Sequence, residues 1–307
     1  MNLKSKNIVS VRDLSKEEIK TILQKAKEME ELLNSNKSLD TMRGKILANM
    51  FFEPSTRTKF SFASAMQKLG GQVLTLEDTE STSIVKGESL IDTIKMMEKY
   101  SDLIVIRHPR EGSARLAAEV SSKPVINGGD GANQHPTQTL LDLYTIRRLK
   151  GKIEGLNVAL IGDLKHGRVM KSLAYALARL DARLTLIAPI GMEMPQVIVE
   201  ELIEKFDADI MRTTSITSGI KEADVAYVCR VQTERFEDVY EAEKMQRAFR
   251  ITQDVLKHAK DELIILHALP KTTEIDPKID ETRYAKYYQQ AFYGVPVRMA
   301  IISLLVK

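Results

Sequence analysis

The sequence predicts an α/β fold of two doubly wound domains, each with a central parallel sheet flanked by helices. Three observations predict it. At 307 residues the chain is long for a single core. Short apolar runs alternate with segments of helical periodicity, and the alternation restarts beyond Gly151. The boundary falls between Gln134 and Gly151. Drawn at 135/136, it gives domains 1–135 and 136–286, with the C-terminal helix 287–307 returning to the first.

The elements follow in order. Ser15 and Glu18 have capping-box spacing, and Ile19, Ile22, Leu23, Ala26, Met29 and Leu33 recur at helical intervals behind them. Ile46 to Phe52, Val73 to Leu76 and Leu103 to Ile106 read as buried parallel strands. Phe60, Ala63, Met66 and Leu69 mark a helix after the first of them. Val125-Ile126 leads into a loop, Asn127 to Asn133, and Pro136 suits the first position of the next helix. In the second half Val158 to Ile161, Leu184 to Ile187, Ile210 to Thr213, Val225 to Val228 and Leu263 to Leu266 read as strands. A last helix is expected from about Pro296, apolar at Val297, Ala300, Ile301, Leu304 and Leu305.

Composition narrows the function classes. Apolar residues make up 43% and charged residues 28%, the balance of a globular protein with a full core. No run approaches the ~18 apolar residues of a membrane helix, and Met1 to Asp13 carries no signal-peptide core. The single cysteine, Cys229, excludes an internal disulfide framework and a cysteine-cluster metal site. These features predict a cytoplasmic protein without a membrane partner. A net charge of +3, with acidic and basic residues interspersed, leaves no basic stripe for nucleic acid.

Ligands of open α/β sheets bind beyond the carboxyl ends of the strands. Here those positions carry Glu53-Pro-Ser-Thr-Arg-Thr58, Arg107-His108, His135 with Gln138, Gly162 to Arg168, Arg230 to Gln232, and His267-Ala-Leu-Pro270. Arginines, hydroxyls and amides thus gather at six strand ends in both halves, which predicts an anion-binding active site in the interdomain cleft. Arg57 is the most informative residue. A cation in the first turn of a helix opposes the helix dipole, so it calls for a bound anion or a carboxylate. Arg168 stands in the same relation to the following helix. Gly162 and Gly167 mimic a P-loop, but Arg168-Val169 replaces the required Lys-Ser/Thr. No GxGxxG follows a strand. His108, His166 and His267 lack metal-ligand spacing, so neither a metal nor a cofactor is expected.

Phe52-Glu-Pro-Ser-Thr-Arg-Thr58 resembles the carbamoyl-phosphate signature of the aspartate and ornithine carbamoyltransferase family, and His135-Pro-Thr-Gln138 resembles its second signature. Gly162-Asp-Leu-Lys-His-Gly-Arg168, Arg230-Val-Gln232 and His267-Ala-Leu-Pro270 are similar to the aspartate-specific members. The resemblance implies a transferase moving the carbamoyl group from carbamoyl phosphate to L-aspartate, an early step of pyrimidine biosynthesis. It implies that Ser55, Thr56, Arg57 and Thr58 hold the phosphate, and that Thr58, Arg107 and His135 donate to the carbonyl oxygen. Gln138 and the carbonyls of Ala268 and Leu269, before a cis Pro270, would accept from the carbamoyl amide. Arg168, Arg230 and Gln232, with Lys86 and Leu269, would take the aspartate. Ser83 and Lys86 would reach a neighbouring subunit's site, which implies a homotrimer, to which regulatory chains can add.

The sequence departs from the family pattern at Ala268, Lys271, His166 and Val169, which are expected to adjust affinity without abolishing activity. Two other readings stand beside this one. Ornithine transfer would want an acidic pocket and a His-Cys-Leu-Pro motif, where this chain has Ala268. A non-catalytic anion-binding trimer would have no use for donors at an oxyanion. A further expectation is that Glu53 pairs with Arg168 or Arg235 when substrates bind, with Gln232 to Lys244 moving alongside.

Overall fold

The computed structural model describes residues 3, 7–35, 39–76, 83–230 and 249–306. The chain divides into two units, residues 1–144 with 292–307, and residues 145–291. Among the described residues no helix is long and apolar enough to cross a membrane.

The first unit is built on a four-stranded parallel sheet. Its strands are β1 (Ile46–Phe51), β2 (Gln72–Leu76), β3 (Leu103–His108) and β4 (Val125–Asp130), in the spatial order β2-β1-β3-β4. Around it lie α1 (Lys16–Asn34), α2 (Arg57–Lys68), α3 (Leu90–Tyr100), α4 (Ser113–Val120) and α5 (Pro136–Lys150), the last of which runs on past Tyr144. The predicted capping box closes α1: Ser15 accepts from the Glu18 N–H, and Glu18 accepts from the Ser15 N–H. Strand β3 is apolar throughout its buried length and β1 is so except for Asn49, whose Nδ2 donates to the Lys59 carbonyl, because helices cover both faces of the sheet. Their register, Leu47 against Leu103 through Phe51 against Arg107, brings the carboxyl ends side by side.

Three expectations need correction here. Val73 to Leu76 forms a strand as predicted, but β2 is a sheet edge and mostly exposed. The segment read as a loop from Asn127 continues β4 as far as Asp130. What holds it is side-chain bonding: Asn127 Nδ2 donates to the Val9 carbonyl and to Asp130, and its Oδ1 accepts from the Gly129 N–H. Finally, the C-terminal helix spans Tyr287–Leu305, so Pro296 lies inside it and does not begin it. A proline there costs roughly 3 kcal/mol. Burial of Tyr293, Val297, Ala300 and Ile301 on the same helix outweighs that cost.

The second unit holds a five-stranded parallel sheet of β5 (Asn157–Ile161), β6 (Arg183–Ile187), β7 (Ile210–Thr213), β8 (Val225–Val228) and β9 (Ile264–His267). The order is β7-β6-β5-β8-β9, so the winding reverses between β5 and β8. Helices α6 (Arg168–Arg179) and α7 (Gln196–Phe206) connect the first three strands. Ile161, Val228 and Ile265 from the sheet pack with Ile216, Ile251, Ile275 and Tyr287 in one buried cluster.

Candidate active site

In the first unit the winding reverses between β1 and β3, which is where an open parallel sheet leaves a crevice for a ligand. β1 delivers Glu53 to Thr58 to that point. α2 begins at Arg57, its N-cap residue Thr56 makes no side-chain cap, and no acid stands in the first turn. Amide N–H groups at the helix start are left for an anion. Arg57 is exposed, and partial desolvation draws its guanidinium below the ordinary value. Thr58, one residue on, is buried, and its hydroxyl lies 3.5 Å from Nε2 of His135.

β3 supplies Arg107, half-buried beside this turn. Its Nε stands 2.7 Å from Glu53 Oε1, an ion pair outside good hydrogen-bond angles, and its Nη1 reaches the Gly128 carbonyl at 3.5 Å. Glu53 thus has a cation within its own unit; Arg235, one of the two partners expected for it when substrates bind, lies outside the described residues. β4 leads to His135, whose carbonyl accepts the first hydrogen bonds of α5, from Gln138 and Thr139. Gln138, half-buried in the first turn, donates through Nε2 to Asp142 at 2.8 Å. Arg57, Thr58, Arg107, His135 and Gln138 therefore come from three neighbouring strand ends of one sheet.

Asp130, which sequence reasoning passed over, organises the approach to His135. It is buried and accepts from the N–H groups of Gly112 and Gln134 and from the side chains of Asn127 and Asn133. Gly131 follows it at φ +54, where a Cβ would stand 2.8 Å from the Pro109 carbonyl, so only glycine fits. The signal available in the sequence was the Asn/Asp/Gly cluster, whose partners outside the cluster are 4 to 118 residues away.

The second unit repeats the arrangement. At its reversal point β5 is followed by Gly162, at φ +116 and with its absent Cβ 2.1 Å from the Cys229 carbonyl that ends β8. This close approach is what the glycine permits. Buried Asp163 accepts from the His166 N–H at 2.9 Å and lies 3.2 Å from its Nδ1, shaping the turn into α6. Arg168 is the first residue of α6, again without a side-chain cap or an acid in the first turn. Arg230 stands just past β8 on the other side of the reversal point. Cys229 between them is a poor nucleophile, since burial pushes its thiol up to about 12.

β9, beside β8, ends in His267-Ala268-Leu269-Pro270. The Leu269-Pro270 bond is cis, as the resemblance implied, and Leu269 has φ +58. The Leu269 N–H donates to His267 Nδ1 at 2.8 Å, so the ring proton sits on Nε2, which lies 2.8 Å from Glu274. Ala268 and Leu269 are half-buried and Pro270 exposed. Lys271 is tied to Asp280 at 2.9 Å. Gln232 lies outside the described residues. Ser83–Lys86 forms a 3-10 turn with Lys86 exposed, and the Ser83 side chain lies outside the description.

Glu274 carries a stability prediction. Burial pushes its carboxyl up, but His267 Nε2 at 2.8 Å, together with bonds from its own backbone N–H and from Thr272, brings it to about 2. Because the folded value lies below the unfolded one, its contribution is complete above the ordinary carboxylate range. It is lost as pH falls from about 4.5 toward about 2. Urea titrations of Glu274→Gln at pH 6 and pH 3 are expected to show a smaller acid loss than in the parent. Equal losses would contradict the assignment.

Residues 6–148 match the family profile described as "Aspartate/ornithine carbamoyltransferase, carbamoyl-P binding domain", and residues 154–305 match its "Asp/Orn binding domain". The chain is 54% identical to the aspartate carbamoyltransferase catalytic subunit of Thermococcus kodakarensis, over 99% of this chain and 98% of that one. It is 52% identical to the Archaeoglobus fulgidus catalytic subunit, over 97% and 98%. Among solved structures, the M. jannaschii aspartate transcarbamoylase catalytic subunit superposes with a TM-score of 0.93 at 48% identity, covering 98% of both chains. The Trypanosoma cruzi enzyme in complex with carbamoyl phosphate and aspartate does so with a TM-score of 0.93 at 35% identity, over 99% and 96%. The chain belongs to the aspartate/ornithine carbamoyltransferase family.

Proposed function

We infer that the chain transfers the carbamoyl group of carbamoyl phosphate to the amine of L-aspartate, giving N-carbamoyl-L-aspartate and phosphate. The observation that carries this is the pairing of uncapped helix starts with arginines at both sheet reversals, Arg57 in one unit and Arg168 in the other. One reactant brings a phosphate and the other two carboxylates, and each suits such a site.

Ser55, Thr56, Arg57 and Thr58 would hold the phosphate at the start of α2. The aspartate amine attacks the carbonyl carbon, and the new C–N bond pushes charge onto the carbonyl oxygen. Thr58, Arg107 and His135 are the donors for that oxygen, and the 3.5 Å contact of Thr58 with His135 supports their common target. Glu53 beside Arg107 holds the guanidinium in place. As the C–O bond to phosphate breaks, the leaving phosphate accepts the amine proton, so no side-chain base is required. Gln138 and the carbonyls of Ala268 and Leu269 would take the carbamoyl amide. Arg168, Arg230 and Gln232, with Lys86 and Leu269, would bind the aspartate.

The ornithine reading is set aside. Relatives at 54% and 52% identity are aspartate enzymes, and arginines suit a dicarboxylate better than the cationic end of ornithine. The assembly we propose is a homotrimer in the cytoplasm, joined through the Ser83–Lys86 turn. The exposed side chains of Phe60, Leu74 and Val85 on the first unit suit such contact. Regulatory chains are a natural addition, since the relatives are named catalytic subunits.

The test is direct. Carbamoylation of aspartate and of ornithine, each with carbamoyl phosphate, is expected to proceed only with aspartate at a useful rate. Faster turnover of ornithine would overturn the reading.

A further inference from the structure

Gln138 and Asp142 lie one helical turn apart on α5, and Gln138 Nε2 donates to Asp142 Oδ1 at 2.8 Å. An ionised carboxylate only accepts, so this bond decides which way the amide points. Its nitrogen is committed to Asp142, and its oxygen is the end that remains for a ligand. Asp142 is fully buried. Arg298 of the C-terminal helix, itself only 3% exposed, has its guanidinium 4.9 Å from the centre of the Phe62 ring on α2. Burial pulls Arg298 down to about 10 and the charge of Asp142 opposes that pull. Arg298 is thus a cation at neutral pH, and its charge and that of Asp142 attract. Gly294, one turn earlier on the same helix, leaves room for the guanidinium: a Cβ there would meet Arg298 Nη1 at 2.3 Å. All of these groups belong to the first unit.

A carbamoyl group differs from an acetyl group by an NH2 in place of a methyl, so a site that reads the difference must offer an acceptor. We propose that Asp142, backed by Arg298, is a positioning residue that sets the preference for carbamoyl phosphate over acyl phosphates lacking the amide. It does so by holding Gln138 with its oxygen toward the substrate. This rests on the reading above that Gln138 faces the carbamoyl amide. Asparagine at position 142 offers either an oxygen or an NH2, so Gln138 can turn over and meet the substrate's donor with another donor. A site built around a hydrogen bond loses its discrimination when that bond is no longer guaranteed.

The experiment compares the KM for carbamoyl phosphate with the inhibition constant of acetyl phosphate, and follows the ratio between them. In Asp142→Asn that ratio is expected to shrink by about 10-fold, the worth of one such bond. The change should come from carbamoyl phosphate, with acetyl phosphate little affected. Because the single variant leaves Arg298 without its anion, the double variant Asp142→Asn/Arg298→Met removes both charges and is expected to show the same shrinkage in a folded protein. A purely structural role for Asp142 would weaken both ligands together and leave the ratio unchanged, which would overturn the proposal. Gln138→Leu is the reference: it should collapse the ratio by itself. If it does not, Gln138 does not face the amide, and the reading beneath the proposal falls along with it.

Discussion

Replacing Arg57 by alanine is expected to lower kcat by about 10³-fold, the upper range for removing one preorganised transition-state donor. Few substitutions of an exposed residue have such an effect. The guanidinium is the first residue of α2, where no cap and no acid relieve it, and among the described residues no ion pair involves it. A cation at that end works against the helix dipole by roughly 0.3–1 kcal/mol. Losing it should therefore leave the fold as stable as before, or slightly more so, while activity collapses. Thermal unfolding and steady-state kinetics on the same preparation check both halves. An unchanged kcat would show that the helix start does not hold the phosphate; a collapse of Tm would show that Arg57 is structural.

Replacing Arg168 by alanine is the second large effect. The KM for aspartate is expected to rise by about 10- to 100-fold, the value of one or two charge-assisted hydrogen bonds. The KM for carbamoyl phosphate should move much less. Arg168→Lys is expected to recover only part of the loss, because an ammonium cannot reproduce the fork that grips a carboxylate. The turn formed by Asp163 and His166 holds the start of α6 independently of the guanidinium, so the backbone should survive the change. An equal rise in both KM values would indicate that Arg168 does not distinguish the two reactants.

The residues behind these predictions were visible in the sequence because they break a local rule. Arg57 and Arg168 are cations where a helix wants anions, and that conflict is readable without knowing the fold. The central strands were legible for a similar reason, since β1, β3, β5 and β8 are covered on both faces and show as runs dominated by apolar residues. What escaped depends on partners distant in sequence. The exposure of β2 follows from its place at the sheet edge, which strand order alone decides. The polar end of β4 is held by Asn127 reaching Val9, 118 positions away. Glu274 matters only because the chain turns back after Pro270 and brings it to His267. Pro296 looked like a helix start because its usual place is the first turn, and only the packing around it shows otherwise. Asp142 was within reach, four residues from Gln138 on one helix face, but the buried Arg298 whose charge attracts it comes from the far end of the chain.

Two sets of anion-binding residues acting on one pair of reactants is the central claim, and binding of N-(phosphonacetyl)-L-aspartic acid tests it most directly. That compound joins a phosphonate to an aspartate. Calorimetric titration is expected to show it binding at least about 10²-fold more tightly than carbamoyl phosphate or aspartate alone. Arg57→Ala and Arg168→Ala should each remove most of that gain. Affinity no greater than that of inorganic phosphate, unaffected by either substitution, would contradict the account.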